Sequence, residues 1–231
     1  MKQKLMAVLL LALPLAQVAY ADIKLATDEQ KAAYAAGFQI GSGLQRDAGD
    51  LDLETMKQGM TDGYQKKPGA LSDDEMMQAM GKYQQKRIDE VTTKNNAAAK
   101  AFLADNAKKS GIKTLPSGLQ YQVLKEGKGA SPQRSDNVKV NYHGTLLNGQ
   151  VFDSSVQRGT PAVFGVGQVI PGWIEALQKM KTGDKWMLYI PPELAYGNRR
   201  AGPIEPGSLL IFEVELLEVL PGGEKAPVAK K

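Results

Sequence analysis

The chain has 231 residues, 42% of them apolar, with 29 Lys and Arg against 25 Asp and Glu, enough for one large domain or two ordinary ones. It has no cysteine and a single histidine, His143, which excludes disulfides, thiol nucleophiles, thiolate and multi-histidine metal sites, and a lipid-modified cysteine. The net charge of +4 is spread without a Lys/Arg block, so a nucleic-acid groove is excluded as well.

Residues 1–21 read as a secretory leader. Lys2 and Lys4 precede an apolar run from Leu5 to Val18, and Ala19-Tyr20-Ala21 has the small-x-small pattern of a cleavage site. The run is too short for a permanent membrane span. Cleavage removes two lysines and no acid, so the charge falls from +4 to +2.

From Asp22 to about Ile112 the pattern predicts helix. Thr27-x-x-Gln30 is a capping box, followed by Tyr34, Phe38, Gly41 and Leu44 at helical spacing until Gly49-Asp50. A second short helix carries Leu53, Met56, Met60 and Tyr64 and stops at Lys67-Pro68-Gly69. Ser72-x-x-Glu75 opens a third that runs to Ser110-Gly111, roughly 37 residues or about 55 Å. Its acids Asp73-Asp74-Glu75 read as helix-start charges, not ligands.

The apolar residues of this third helix crowd into its first half, while Thr92 to Lys109 is Ala-rich and polar. Five of the nine methionines lie between Met56 and Met80, an adaptable apolar surface. A small monomeric helical core is one reading. A homodimer accounts better for both the excess apolar surface and a second half expected to tolerate solvent.

After Gly111 the period becomes alternating. Leu119 to Leu124 reads as a strand, and Asn137 to Leu147 sets Val138, Val140 and Tyr142 against Lys139, Asn141 and His143. Asn148-Gly149 predicts a two-residue hairpin turn, with Gln150 to Asp153 returning. Lys185 to Ile190 and Leu209 to Val219 complete an antiparallel sheet. The one helix expected here carries Trp173, Leu177 and Met180 on one face before Gly183 caps it, giving an α+β domain. Pro221 to Lys231 reads as a flexible tail.

Aromatic residues of this half lie at element starts, strand ends and loops, where they can fill a core or line a concave apolar pocket. Trp173 is open to both readings. Asp153 is either a turn residue bonding the backbone near Ser154-Ser155 or a polar group of that pocket. His143, on the strand face opposite Tyr142, is expected to be solvated and receives no role. Gly165-x-Gly167 lacks the Gly-Lys-Ser/Thr and the strand-loop-helix frame of a phosphate loop.

Six ordered motifs now stand together. They are Val138-Lys-Val-Asn-Tyr142-His-Gly144, Gly149-x-Val-Phe152-Asp153-Ser154-Ser155, Phe164-Gly165, Gly167-Gln-Val169-Ile170-Pro-Gly172-Trp173, Ala195-Tyr196-Gly197 and Leu210-Ile-Phe212-Glu-Val-Glu-Leu216. Over about Leu115 to Leu220 they resemble the FKBP family of peptidyl-prolyl cis-trans isomerases. The leader and helical part further resemble the dimeric macrophage-infectivity-potentiator type of Gram-negative bacteria. The resemblance implies an antiparallel sheet wrapped on one short helix, preceded by an all-α dimerisation domain with a long connecting helix. The implied boundaries are 1–21 for the leader, 22–72 for the dimerisation segment, 73–110 for the connecting helix, 111–220 for the isomerase domain and 221–231 for the tail.

It also implies roles. Trp173 would be the pocket floor, with Tyr142, Phe152, Phe164, Val169 and Phe212 as walls and Ile204 closing one side. Ile170 would offer a backbone N–H and Tyr196 a hydroxyl, while Asp153 would act on the twisting carbonyl or order the rim. The expected function is cis–trans isomerisation at X–Pro bonds of exported proteins in the periplasm, by a homodimer, with no metal, no cofactor, no nucleic acid and no membrane span. Macrolides such as rapamycin would occupy the pocket. The alternative is a peptide-binding chaperone whose dimeric cleft holds unfolded chains. The family pattern departs at Asn198-Arg199-Arg200, a short basic loop.

Overall fold

The computed structural model describes residues 23–47, 49 and 51–220, so the expected leader and tail lie outside the described residues. The chain divides into two compact units, Met1–Leu53 and Glu54–Lys231. Among the described residues no helix is long and apolar enough to cross a membrane.

In the first unit, α1 (Asp28–Asp47) starts where the sequence placed its cap. Thr27 Oγ1 accepts from the Gln30 N–H at 3.3 Å, and Gln30 Oε1 accepts from the Thr27 N–H at 3.2 Å. Tyr34 and Phe38, one turn apart, stack at 6.3 Å and are exposed, as is Ile40.

Helix α2 (Leu53–Tyr64), which lies in the second unit from Glu54 on, is followed by α3 (Asp73–Asn106), 34 residues and about 51 Å long. A capping box opens α3: Ser72 Oγ accepts from the Glu75 N–H, and the Glu75 carboxylate accepts from the Ser72 N–H at 2.9 Å. Its methionines Met76, Met77 and Met80 are exposed.

The second half of α3 departs from expectation. It does not face solvent on all sides but is docked along the domain that follows, with Thr92, Ala99 and Asn106 buried. Small and amide side chains make that contact. Asn106 Nδ2 donates to Gln120 Oε1 at 3.0 Å, Gln120 Nε2 donates to the Leu103 carbonyl at 2.9 Å, and Phe102 meets Tyr189 at 5.7 Å. The helix ends at Asn106, short of Ser110, where that buried amide turns to the sheet.

The sheet has seven strands: β1 (Ile112–Thr114), β2 (Gln120–Lys125), β3 (Asn137–Leu146), β4 (Val151–Ser154), β5 (Ala162–Gly165), β6 (Lys185–Ile190) and β7 (Leu210–Leu220). Their order is β1-β2-β6-β7-β3-β4, all pairs are antiparallel, and β5 pairs with β3 beside β4. Strict alternation in β3, β6 and β7 sends Val138, Val140, Tyr142, Leu188, Ile190, Phe212 and Val214 to one buried face. The hairpin turn differs from the two-residue form. The Leu146 N–H donates to Gln150, Gly149 at φ +82° follows as the third loop residue, and Asn148 Oδ1 accepts from the Gln150 N–H.

Helix α4 (Pro171–Leu177) lies on the buried face. Gly172 permits its close approach, since a Cβ there would fall 2.5 Å from Ile190 Cγ2. Met180 and Gly183 lie beyond the helix, which ends at Leu177, though Met180 is still buried. The architecture is α+β, a helical N-terminal part followed by an antiparallel sheet with one helix across it.

Candidate active site

Pro171 at the first position of α4 has no N–H to satisfy, and its fixed φ suits a helix start. The Ile170 carbonyl accepts from the Trp173 N–H at 2.9 Å, while the Ile170 N–H meets no acceptor among the described residues. Trp173 therefore leaves the first turn of a helix pressed onto the sheet, with its indole surrounded by rings. Tyr142, Phe164 and Phe212 lie at 5.5, 5.8 and 5.2 Å from it, all near edge-on. Phe152 stands edge-on to Phe212 at 5.2 Å.

These rings border a hollow of about 700 Å³. All ten residues singled out from the sequence lie on it: Asp153, Tyr196, Trp173, Ile170, Tyr142, Phe152, Phe164, Val169, Ile204 and Phe212. Gln168 and the rim residues Arg199, Ala201, Gly202 and Pro203 join them. The volume lies in the range of small-molecule and peptide side-chain pockets.

One polar cluster stands on the wall. Tyr142 donates its hydroxyl proton to Asp153 Oδ2 at 2.5 Å and accepts from Arg158 Nη2 at 2.8 Å. Arg158 Nη1 pairs with Asp153 Oδ1, and its guanidinium lies 5.6 Å from the centre of the Tyr142 ring. Ser155, fully buried, holds the loop against β3: its Oγ accepts from the Tyr142 N–H at 2.8 Å, and its N–H donates to the Tyr142 carbonyl. Asp153 is thus a pocket group.

Burial alone would raise the Asp153 carboxyl, but the Tyr142 and Arg158 hydrogen bonds and the guanidinium charge outweigh it and hold the group below its ordinary value. Burial and the bond to Asp153 push the Tyr142 phenol up to about 12, against the opposing Arg158. Arg158 was not singled out from the sequence. An arginine five positions after an acid in a loop carries no periodic signal, and the loop must fold back to pair them. His143 also differs from its expected solvated state: it is half-buried, with Nδ1 3.0 Å from Ser154 Oγ.

Residues 128–217 match the model of FKBP-type peptidyl-prolyl cis-trans isomerases, and residues 29–123 match that of the domain amino-terminal to them. The chain is 42% identical over 229 residues to an outer membrane protein MIP of Legionella longbeachae, covering 95% of this chain and 98% of that one. It is 46% identical over 200 residues to the FKBP-type 22 kDa peptidyl-prolyl cis-trans isomerase of Escherichia coli, covering 84% and 97%. The crystal structure of FkpA from Escherichia coli aligns with a TM-score of 0.68 at 39% identity, over 86% of this chain and 99% of that one.

Proposed function

The chain belongs to the FKBP-type peptidyl-prolyl cis-trans isomerases and is such an isomerase, and from that premise we propose that the prolyl bond turns in the hollow above Trp173. The carrying observation is the convergence of six aromatic rings, one free backbone N–H and one acid–phenol pair on a single concavity.

Rotation about X–Pro crosses a barrier of about 18–20 kcal/mol because the planar amide is resonance-stabilised and charge-separated. No bond breaks, so no nucleophile is required. The proline ring rests on Trp173 between Tyr142, Phe164 and Phe212, where a water-poor wall disfavours the more polar planar amide. The Ile170 N–H and the Tyr196 hydroxyl hold the flanking backbone as it turns, and Val169, Phe152 and Ile204 exclude solvent. Asp153 faces the twisting carbonyl as a fixed negative group whose direction Tyr142 and Arg158 set. Each 1.36 kcal/mol is about a factor of ten, so a few oriented hydrogen bonds of about 1 kcal/mol and solvent exclusion supply a useful acceleration.

A protease-coupled assay with Phe-Pro and Leu-Pro tetrapeptides tests this reading, and its pH dependence is the sharper part. With Asp153 held ionised below the ordinary carboxylate range and Tyr142 protonated up to about 12, neither group changes charge between pH 6 and 8. We expect kcat/KM to vary less than about twofold there. Because the folded carboxyl is depressed, its contribution to stability is present above the unfolded value and is lost as pH falls through the lower folded one. The pair is half-exposed, so that contribution stays below about 1 kcal/mol. Arg158→Gln is expected to move the acid limb of the rate profile to higher pH. A bell centred near neutrality in the wild type would contradict the assignment.

The exposed rings of α1 and the exposed methionines of α3 support a homodimer, and the leader pattern of residues 1–21 supports action on exported proteins in the periplasm. These exposed apolar side chains also support a holding activity toward unfolded chains beside isomerisation. The hollow's size and aromatic lining support occupation by macrolides such as rapamycin. Full-length chain is expected to sediment as a dimer, and Tyr34→Glu with Phe38→Glu to sediment as a monomer, with tetrapeptide kcat/KM changed less than about twofold. A wild-type chain that sediments as a monomer at micromolar concentration would remove the dimer.

A further inference from the structure

The hollow has one wall made by a loop, and that loop touches α3. Tyr196, Arg199, Ala201, Gly202, Pro203 and Ile204 border the cavity. Between Gly197 and Gly207 the chain closes on itself: the Gly207 N–H donates to the Gly197 carbonyl at 2.8 Å, and Ala201 and Ile204 exchange two backbone bonds of 3.0 Å. Such a self-closed loop keeps its own shape but not its tilt on the body of the domain.

Two contacts set the tilt. Ile204, 5% exposed, is anchored in the core. The other contact is with α3, where Asn95 Nδ2 donates to the Pro206 carbonyl at 2.9 Å. The backbones press together beside it. A Cβ on Gly207 would fall 2.8 Å from the Thr92 carbonyl oxygen and 3.0 Å from Asn96 Oδ1, and Gly207 has φ +74°. Glycine at this position satisfies both the left-handed backbone and the close approach. Pro206 and Gly207 are buried there.

We infer that Asn95 is a positioning residue for the isomerase: by holding the Pro206 carbonyl it pins the 197–207 loop to α3 and fixes the Tyr196–Ile204 wall of the prolyl hollow. The inference rests on the assignment of that hollow as the reaction site. It makes the second half of α3 a support of the active site as well as a connector. The wall contacts the substrate in the planar and the twisted amide alike, so loosening it removes binding common to both states.

The test uses the full-length chain, with kcat and KM separated by exchange measurements on a Leu-Pro tetrapeptide. Asn95→Asp keeps the shape but presents no donor to the carbonyl, and Asn95→Ala removes the group. Each is expected to raise KM about three- to tenfold with kcat within about twofold. Asn95→Gln, which keeps an amide donor, and Lys94→Ala, on the exposed face, are expected to stay within about twofold of wild type. A partly unfolded variant would lower apparent kcat at constant KM, which is the opposite pattern. If Asn95→Asp and Asn95→Ala both keep the wild-type KM while Tyr196→Phe raises it, the positioning role is wrong and the site assignment stands. A wild-type KM in Tyr196→Phe would overturn the wall assignment and the inference with it.

Discussion

Trp173→Ala is expected to destabilise the sheet domain by about 3–5 kcal/mol and to lower tetrapeptide kcat/KM by about 100-fold or more. The indole is 4% exposed, so truncation leaves a cavity beneath three rings that now meet it edge-on. Each such edge contact contributes about 0.5–1.5 kcal/mol beyond the buried area. Trp173→Leu separates the two roles left open by the sequence. A branched side chain refills part of the volume and should recover about half of the lost stability, but it offers no flat floor and should not recover catalysis. Trp186, stacked on Tyr121 at 4.3 Å and buried, remains the sole indole and reports urea unfolding by fluorescence. Leucine with wild-type kcat/KM would make Trp173 a packing residue only.

The legible parts of the fold were those with a strong period. Strand β6 runs over Lys185–Ile190 as its alternation predicts, and β3 and β7 shift by a residue at their ends. Strands β1 and β5, of three and four residues, are too short to show a period. The docked face of α3 was invisible for another reason. Its contacts come from Thr92, Asn95, Ala99 and Asn106, and a stripe of small and amide residues resembles solvent-facing sequence until its hydrogen-bond partners are known. A cut after Lys109 therefore strips a packed face from the domain as well as removing a connector. Nine of the ten hollow residues were found through ordered motifs, and Ile204 through the loop position that the resemblance implied. Local chemistry alone left Trp173 and Asp153 undecided and missed Arg158, because the Tyr142–Asp153–Arg158 cluster forms only when a loop folds back on β3.

Gly144→Ala is expected to destabilise the domain by about 1–3 kcal/mol and to lower kcat/KM by about tenfold. Gly144 lies near the C-terminal end of β3, opposite Phe212 in register, and its backbone is not in the left-handed region. Backbone reasoning alone therefore favours alanine, by about 0.4–1 kcal/mol through the unfolded chain. Packing opposes it. The added Cβ would lie 2.7 Å from Phe152 Cζ and 2.8 Å from Phe212 Cε1, inside contact distance of two rings that wall the hollow. Neither ring can retreat freely: they stand edge-on to each other at 5.2 Å, and Phe212 is also edge-on to Trp173. The methyl is therefore accommodated by tipping Phe152, which widens one wall and admits water beside the amide. Gly144→Ala combined with Phe152→Leu should recover most of the stability by removing the nearer clash, while activity stays low because the wall is still altered. Urea denaturation and the tetrapeptide assay on both variants decide the matter. An alanine variant as stable and active as wild type would mean that the rings move aside without cost, and that the hollow does not depend on a fixed aromatic wall.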